Sequence, residues 1–464
     1  MRKSIRLNLL AAALAVACAP LAQAEDLVQA YQLARAADPS LASADANRGA
    51  IKEGVYQARS ALLPQINASL AYNRNDASTN SVGPFQDGAG NFVLLPSNDV
   101  AQNRSRPGQI ALTQSIFSWT NWSRYRSEKE TALSADANYD AASQDLFVRT
   151  ATAYFNILTN QDQLIFAQAN EKALARQLDQ AEQRFEVGLS AITDVHNARA
   201  NHDSSVAQVI QAQNNLDNAR EGLTQIIGKD FGDLHKLREQ LPLEKPTPGD
   251  VQSWVEIATK ENPTLAAANY SLNAAQYNVE TQRGGHYPTL SASVVRTDTP
   301  GWGTTTQGVN GNYFGPFHGN NINGDTAIGV TLNVPIFTGG LVSSQVRQAV
   351  YQRDYAQDQL ELQRRAVVAN TRNAYRAVLA GISEVEATRQ AVVSAQCSLD
   401  ATQAGFEVGT RTIIDVLLSQ QTLFQAQSAY SQARHAFVLS GLQLKQSAGT
   451  IGLRDIEGVN ALLE

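Results

Sequence analysis

The chain has 464 residues, 43% of them hydrophobic and 17% charged, with a mean hydropathy of -0.27. That length allows two or three domains, and 43 acidic against 37 basic residues leave no positive excess with which to hold nucleic acid. HExxH, GxSxG and Walker A patterns are absent, and His196 and His202 lack a metal-ligand partner, so the usual enzyme signatures are missing.

The first 24 residues, MRKSIRLNLLAAALAVACAPLAQA, place Arg2, Lys3 and Arg6 before an apolar run from Leu7 to Ala19. Ala22-Gln23-Ala24 then supplies a small-x-small cleavage site, which predicts an export signal over residues 1–24. The run is too short to span a bilayer, and no later stretch reaches the roughly 18 apolar residues a transmembrane helix needs. Cleavage removes three basic residues and no acid, leaving 34 basic (37 minus 3) against 43 acidic, a net of -9. Only Cys397 then remains, which excludes a disulfide within the chain and reads as a small packed side chain. A competing reading takes Ala15-Val16-Ala17-Cys18 as a lipid-attachment site, although Ala15 is a poor match to the branched residue usual there.

Residues 26–60 are predicted as helix, ended near Pro64. Ile66, Ala68, Leu70 and Tyr72 then alternate with Asn67, Ser69 and Asn73, the period-2 pattern of a strand with one apolar face. A second strand over 109–117 completes a hairpin spanning 64–117. The connection over 75–108, rich in Gly, Asn, Ser and Pro, reads as an exposed loop. From Trp119 to Val187 there is no Gly or Pro, only good helix formers, so one helix roughly 100 Å long is expected. A second follows over about 189–227.

The same order then recurs. Residues 250–283 are helical, and a hairpin over 288–337 contains strands at 288–297 and at Ile328 to Ile336, joined by an exposed loop over 299–325. Long helices over 341–406 and 410–448 lead to a tail, 451–464. Matched landmarks sit at near-constant offsets. ARAADPSL (34–41) answers ATKENPTL (258–265) at 224, Pro64 answers Pro288 at 224, and SIF (115–117) answers PIF (335–337) at 220. FEVGLSAITDVH (185–196) answers FEVGTRTIIDVL (406–417) at 221. The expected organisation is therefore a duplication, repeat one over 25–245 and repeat two over 246–450.

Helices this long exceed the usual 8–20 residues of globular domains and must pack along their length. Their apolar positions are spread among Ala, Ser and Gln, which suits a wall of neighbours on two sides better than a two-stranded coil. About four strands per chain cannot form a sheet in lipid, where every backbone group must be paired. Closure through two copies gives eight strands and a filled interior, whereas three copies give twelve and a bore. Phe117, Trp119, Trp122 and Phe337 at the strand–helix junctions suit an interfacial belt or a junction core equally.

With these features in place, the chain resembles the outer membrane factor family of efflux and secretion channels. The resemblance extends over the mature sequence and is most specific at RFEVGLSAITDVHNARA (184–200) and AVVSAQCSLDATQAGFEVGTRTIIDVL (391–417). It implies a mainly α chain with a small β part, assembling as a homotrimer: a 12-stranded β-barrel in outer-membrane lipid continued by a 12-helix α-barrel across the periplasm. It also implies a periplasmic adaptor (membrane fusion) protein and inner-membrane ABC, RND or major-facilitator pumps as partners, with no cofactor.

Each repeated segment reads as a tight turn at the far end of a helical hairpin. Gly188 and Gly409 supply the left-handed residue, and Ser190, Thr410 or Thr412 are expected to cap the following helix. Asp194 and Asp415 occupy one site in the two copies, and three-fold repulsion in a narrow bore is expected to raise their pKa. The resemblance implies that an Arg at Arg411 links to Thr193 and Asp194 to hold the entrance shut, that Asp415 lines the constriction, and that the turns at Gly188 and Gly409 receive the adaptor. Three positions depart from the family pattern. Phe406 stands where a gate Tyr is usual, Leu418 replaces a second constriction Asp, and Gln177 and Gln390 replace a Gln–Glu pair. A weaker resting latch is the expected consequence.

Overall fold

In the computed structural model, which describes residues 26–464, uninterrupted helix formers produce single helices. The expected export signal and Cys18 lie outside the described residues. In chain order the helices are α1 (Leu27–Ala37), α2 (Pro39–Ser60), α3 (Trp119–Glu186), α4 (Ile192–Ile227), α5 (Val251–Glu261), α6 (Pro263–Arg283), α7 (Leu341–Glu407), α8 (Ile413–Ser447) and α9 (Leu453–Asn460). α3 and α7 run for 68 and 67 residues, and no helix among the described residues is long and apolar enough to cross a membrane.

The chain forms two compact units. One comprises the described residues up to Gly49, Leu133–Asn269 and Asp358–Glu464; the other comprises Ala50–Ala132 and Tyr270–Gln357.

In the first unit, α1 opens on the side chain of Asp26, which accepts from the N–H of Gln29 at 2.7 Å. Its buried Tyr31 stacks on Phe147 with ring centroids 4.1 Å apart. Around this pair, Leu146, Tyr154, Phe155, Leu216, Leu223 and Ile456 form the main core. Residues 451–464, expected only as a tail, contribute α9 and an antiparallel bridge, Leu237 with Leu463. Asn460 on α9 accepts from the N–H of Leu27 and donates to Asp26, tying the two ends of the unit together.

The predicted helices over 26–60 and 250–283 each break at an Asx-Pro step. Proline fixes φ and disfavours helix for the residue before it. Asp38 then accepts from the N–H of Leu41, and Asn262 from that of Thr264, so each starts the next helix. Asp38 is also paired with Arg149 at 2.8 Å. Burial pushes the Asp38 carboxyl up, but the bonds from Arg149 and the Leu41 N–H outweigh it and hold the pKa below the usual range. In α7, Gly381 does not break the helix; a Cβ there would lie 3.3 Å from the Phe437 ring, so the glycine permits close approach of α8.

The second unit holds a single antiparallel sheet: β1 (Gln65–Leu70), β2 (Asn73–Gln86), β3 (Phe92–Ser105), β4 (Gly108–Phe117), β5 (Thr289–Val309) and β6 (Asn312–Asn333). β1 pairs β4, β2 pairs β3, and β5 pairs β3, β4 and β6. The six strands lie in four tracts, β1 and β2 being separated only by Ala71-Tyr72 and β3 and β4 only by Arg106-Pro107. The segments 75–108 and 299–325 are correspondingly not loops but mostly strand. Their Asn, Ser, Thr and Gly side chains carry no apolar alternation, yet their backbones pair in register, Ser78 opposite Val100 and Asp298 opposite Gly324. The β1/β2 tract and β6 are the two edges, and Leu70, Ile322, Ile328 and Ile336 are exposed.

Candidate functional site

Both repeated turns lie in the first unit, at the ends of the α3–α4 and α7–α8 hairpins. Each turn closes its helix in the same way. Gly188 and Gly409 adopt φ of 74° and 80°, the left-handed conformation, and the N–H groups of Leu189 and Thr410 return to the carbonyls of Arg184 and Gly405 at 2.8 Å. No neighbouring atom lies within 4 Å of a Cβ built at either glycine, so backbone conformation alone requires glycine there.

The starts of the following helices differ. In the second turn Thr412 is the N-cap: its N–H and hydroxyl both donate to Asp415 at 2.9 Å, and its hydroxyl accepts from the Asp415 N–H at 3.3 Å. Thr410 instead donates back to the Gly405 carbonyl at 3.0 Å. The equivalent N-cap in the first turn is Ala191, which cannot cap. Ser190, expected to cap the backbone, donates its hydroxyl to the Asp194 carboxylate at 2.8 Å.

The expected upward shift at Asp415 is reversed within the chain. The N–H of Thr412 first, then its hydroxyl, and more weakly the charge of Arg411 hold the carboxyl below the usual carboxylate range. Burial opposes them too weakly to win.

The sequence-predicted residues are not all brought together. Arg411 is exposed and, among the described residues, its guanidinium has no ion pair; it meets neither Thr193, which is exposed, nor Asp194. Leu418 is 63% exposed. Gln390 is exposed, whereas Gln177 faces a cavity of about 410 Å³ lined also by Asn170, Gln396, Asp400, Gln403 and Gln420. Phe406 is central. Its partly buried ring packs against the cluster of Leu174, Ala181, Val195, Ala198, Ile413 and Leu417 and against that of Ala395, Leu399, Val416 and Leu423.

Three side chains at the tips carry contacts that sequence reasoning missed. Arg184 lies over the Phe406 ring, 4.7 Å from its centroid, and Glu182 pairs with Arg199 at 2.6 Å, tying α3 to α4. The copy comparison held the signal: at the 221-residue offset the Glu182–Arg199 pair becomes Gln403 and Gln420, and Arg184 becomes Gly405.

The sequence model of the family described as "Outer membrane efflux protein" matches residues 30–229 and again 254–450. The chain belongs to the outer membrane efflux protein family. It is 39% identical over 446 residues to outer membrane protein TolC of Escherichia coli K12, covering 96% of this chain and 86% of that protein. It is 27% identical over 440 residues to the alkaline protease secretion protein AprF of Pseudomonas aeruginosa, covering 94% and 86%. Its fold matches the outer membrane protein VceC of Vibrio cholerae with a TM-score of 0.72 at 18% identity, covering 91% of this chain and 96% of that one. The protein is therefore an efflux channel of the outer membrane, and its turns are to be read as parts of a channel.

Proposed function

We propose that three copies of this chain build one duct, with a 12-stranded β-barrel in the outer membrane and a 12-helix barrel in the periplasm, serving both efflux and type I protein secretion. The observation that carries this reading is the sheet: four tracts with two unpaired edges and apolar side chains exposed. Such a sheet cannot sit in lipid until each edge meets a partner, and in a channel family the natural partner is another copy. The two family matches in one chain support an internal duplication, which gives four long helices per chain. The resemblance to AprF, named for protease secretion, supports a secretion role beside efflux.

In this reading the six turns around Gly188 and Gly409 ring the periplasmic mouth and receive an adaptor protein coupled to an inner-membrane ABC, RND or major-facilitator pump. Arg411 reaches Thr193 and Asp194 only across a neighbouring surface, which fits its lack of an ion pair among the described residues. Asp415 and Leu418 line the constriction, with Asp415 ionised at neutral pH. Phe406, Gln177 and Gln390 form the supporting contacts. The duct itself is passive.

Chemical cross-linking of the outer-membrane fraction tests the assembly. A linked species of three chains is expected, and without the cross-linker it should run as one chain after heating; a species that stops at one or two chains contradicts the proposal.

A further inference from the structure

The first hairpin carries a charged side chain that the gate reading leaves unused. Arg184, in the last turn of α3, holds its guanidinium 4.7 Å from the centroid of the Phe406 ring, which belongs to the second hairpin. A basic residue in a last turn answers the helix dipole in any orientation. That role does not explain why the group lies over an aromatic face 222 residues away (406 minus 184).

Position 184 corresponds to Gly405, and position 190, a serine, corresponds to Arg411. Each turn therefore has one arginine, before the glycine in the first copy and after it in the second. A Cβ on Gly405 would lie 2.7 Å from Cγ of Arg411, so the Arg411 stem folds back over that glycine. The two arginines thus flank the Phe406 end of α7 from different hairpins. Phenylalanine has no hydroxyl to link to a carboxylate, but its ring face attracts a cation, and Arg184 is the cation in place.

We propose that Arg184 is a positioning residue of the closed tip, tying the first hairpin to the second within one protomer through the face of Phe406. This rests on the gate reading above. One such contact biases a two-state equilibrium by about two- to five-fold, and three copies moving together by roughly ten- to a hundred-fold.

The test uses the full-length protein reconstituted in planar bilayers in potassium chloride, with Arg184→Ala, Arg184→Lys, Phe406→Leu, the Arg184→Ala/Phe406→Leu double variant and Arg411→Ser as control. Arg184→Ala and Phe406→Leu are each expected to raise mean conductance several-fold, Arg184→Ala without lowering the melting temperature and Phe406→Leu with a modest loss from its packing. Their combination should exceed neither, because both remove the same contact. Arg184→Lys should restore part of the closure, since an ammonium also sits over a ring. If Arg184→Ala conducts like the parent while Arg411→Ser leaks, the gate stands and Arg184 is no part of it. If neither leaks, the gate reading itself fails. Additive effects in the double variant would also overturn the proposal. Should Arg184→Ala fail to assemble, Phe406→Leu decides on the same criterion.

Discussion

Asp194 and Asp415 show how two carboxylates at one repeat position acquire different surroundings from changes at two neighbouring positions, Ser190 against Arg411 and Ala191 against Thr412. Thr412 makes Asp415 half of a reciprocal cap, whereas Ala191 leaves Asp194 to the hydroxyl of Ser190. Because the cap lowers the Asp415 pKa, this carboxyl stays ionised to below the ordinary value of 3.8. Block of the channel by divalent or trivalent cations from the periplasmic side is therefore expected to hold steady from about pH 7 to about pH 5 and to vanish in Asp415→Ala. Block that fades on mild acidification would show that repulsion between copies overrides the cap. Buried His435 behaves differently. Its Nδ1 lies 2.8 Å from the Thr159 hydroxyl. Burial first, with the charge of Arg434 assisting and that of Asp162 opposing, lowers its pKa from 6.5 to about 4. The unfolded chain thus binds the proton first as pH falls. Stability is independent of this group above pH 6.5 and declines between 6.5 and about 4, by on the order of a few kcal/mol per chain. Melting temperatures of the detergent-solubilised protein should show this slope, and His435→Gln should flatten it.

At the scale of elements, the Asx-Pro steps decide where helices restart. Asp38→Asn reproduces the residue found at position 262 and keeps the cap, whereas Asp38→Ala removes cap and ion pair together. The alanine variant is expected to lose about 1 kcal/mol more than the asparagine variant in chemical denaturation; equal losses would mean that the charge pair with Arg149 alone matters. The long helices were legible because 119–187 contains no Gly or Pro, and the turns because they occur twice. Almost all of β2, all of β3 and the parts of β5 and β6 next to their connection were not legible. Strand pairing there is a property of backbone register, and polar side chains that alternate with polar side chains leave no signal in sequence. The contact of Arg184 with Phe406 was hidden for another reason: it joins residues on different hairpins, which no local pattern reports. Of the expected caps, Thr412 holds, whereas Ser190 bonds Asp194 and Thr410 the preceding helix, because a hydroxyl near a helix start can serve a carboxylate or the preceding helix as readily as the N-cap site.

For the whole molecule, the same chain supplies a sheet that is incomplete at both edges and a hairpin tip whose Arg411 has no ion pair among the described residues. In the proposed assembly further copies meet both deficits, and membrane insertion and closure of the tip would follow from one assembly step. The central claim is that the assembled duct rests shut at its turns and that Arg411 helps hold it there. Single-channel recording of the reconstituted protein and of Arg411→Ser tests this most directly. The account predicts a small parent conductance that rises several-fold in the variant; equal conductances in the two would contradict it.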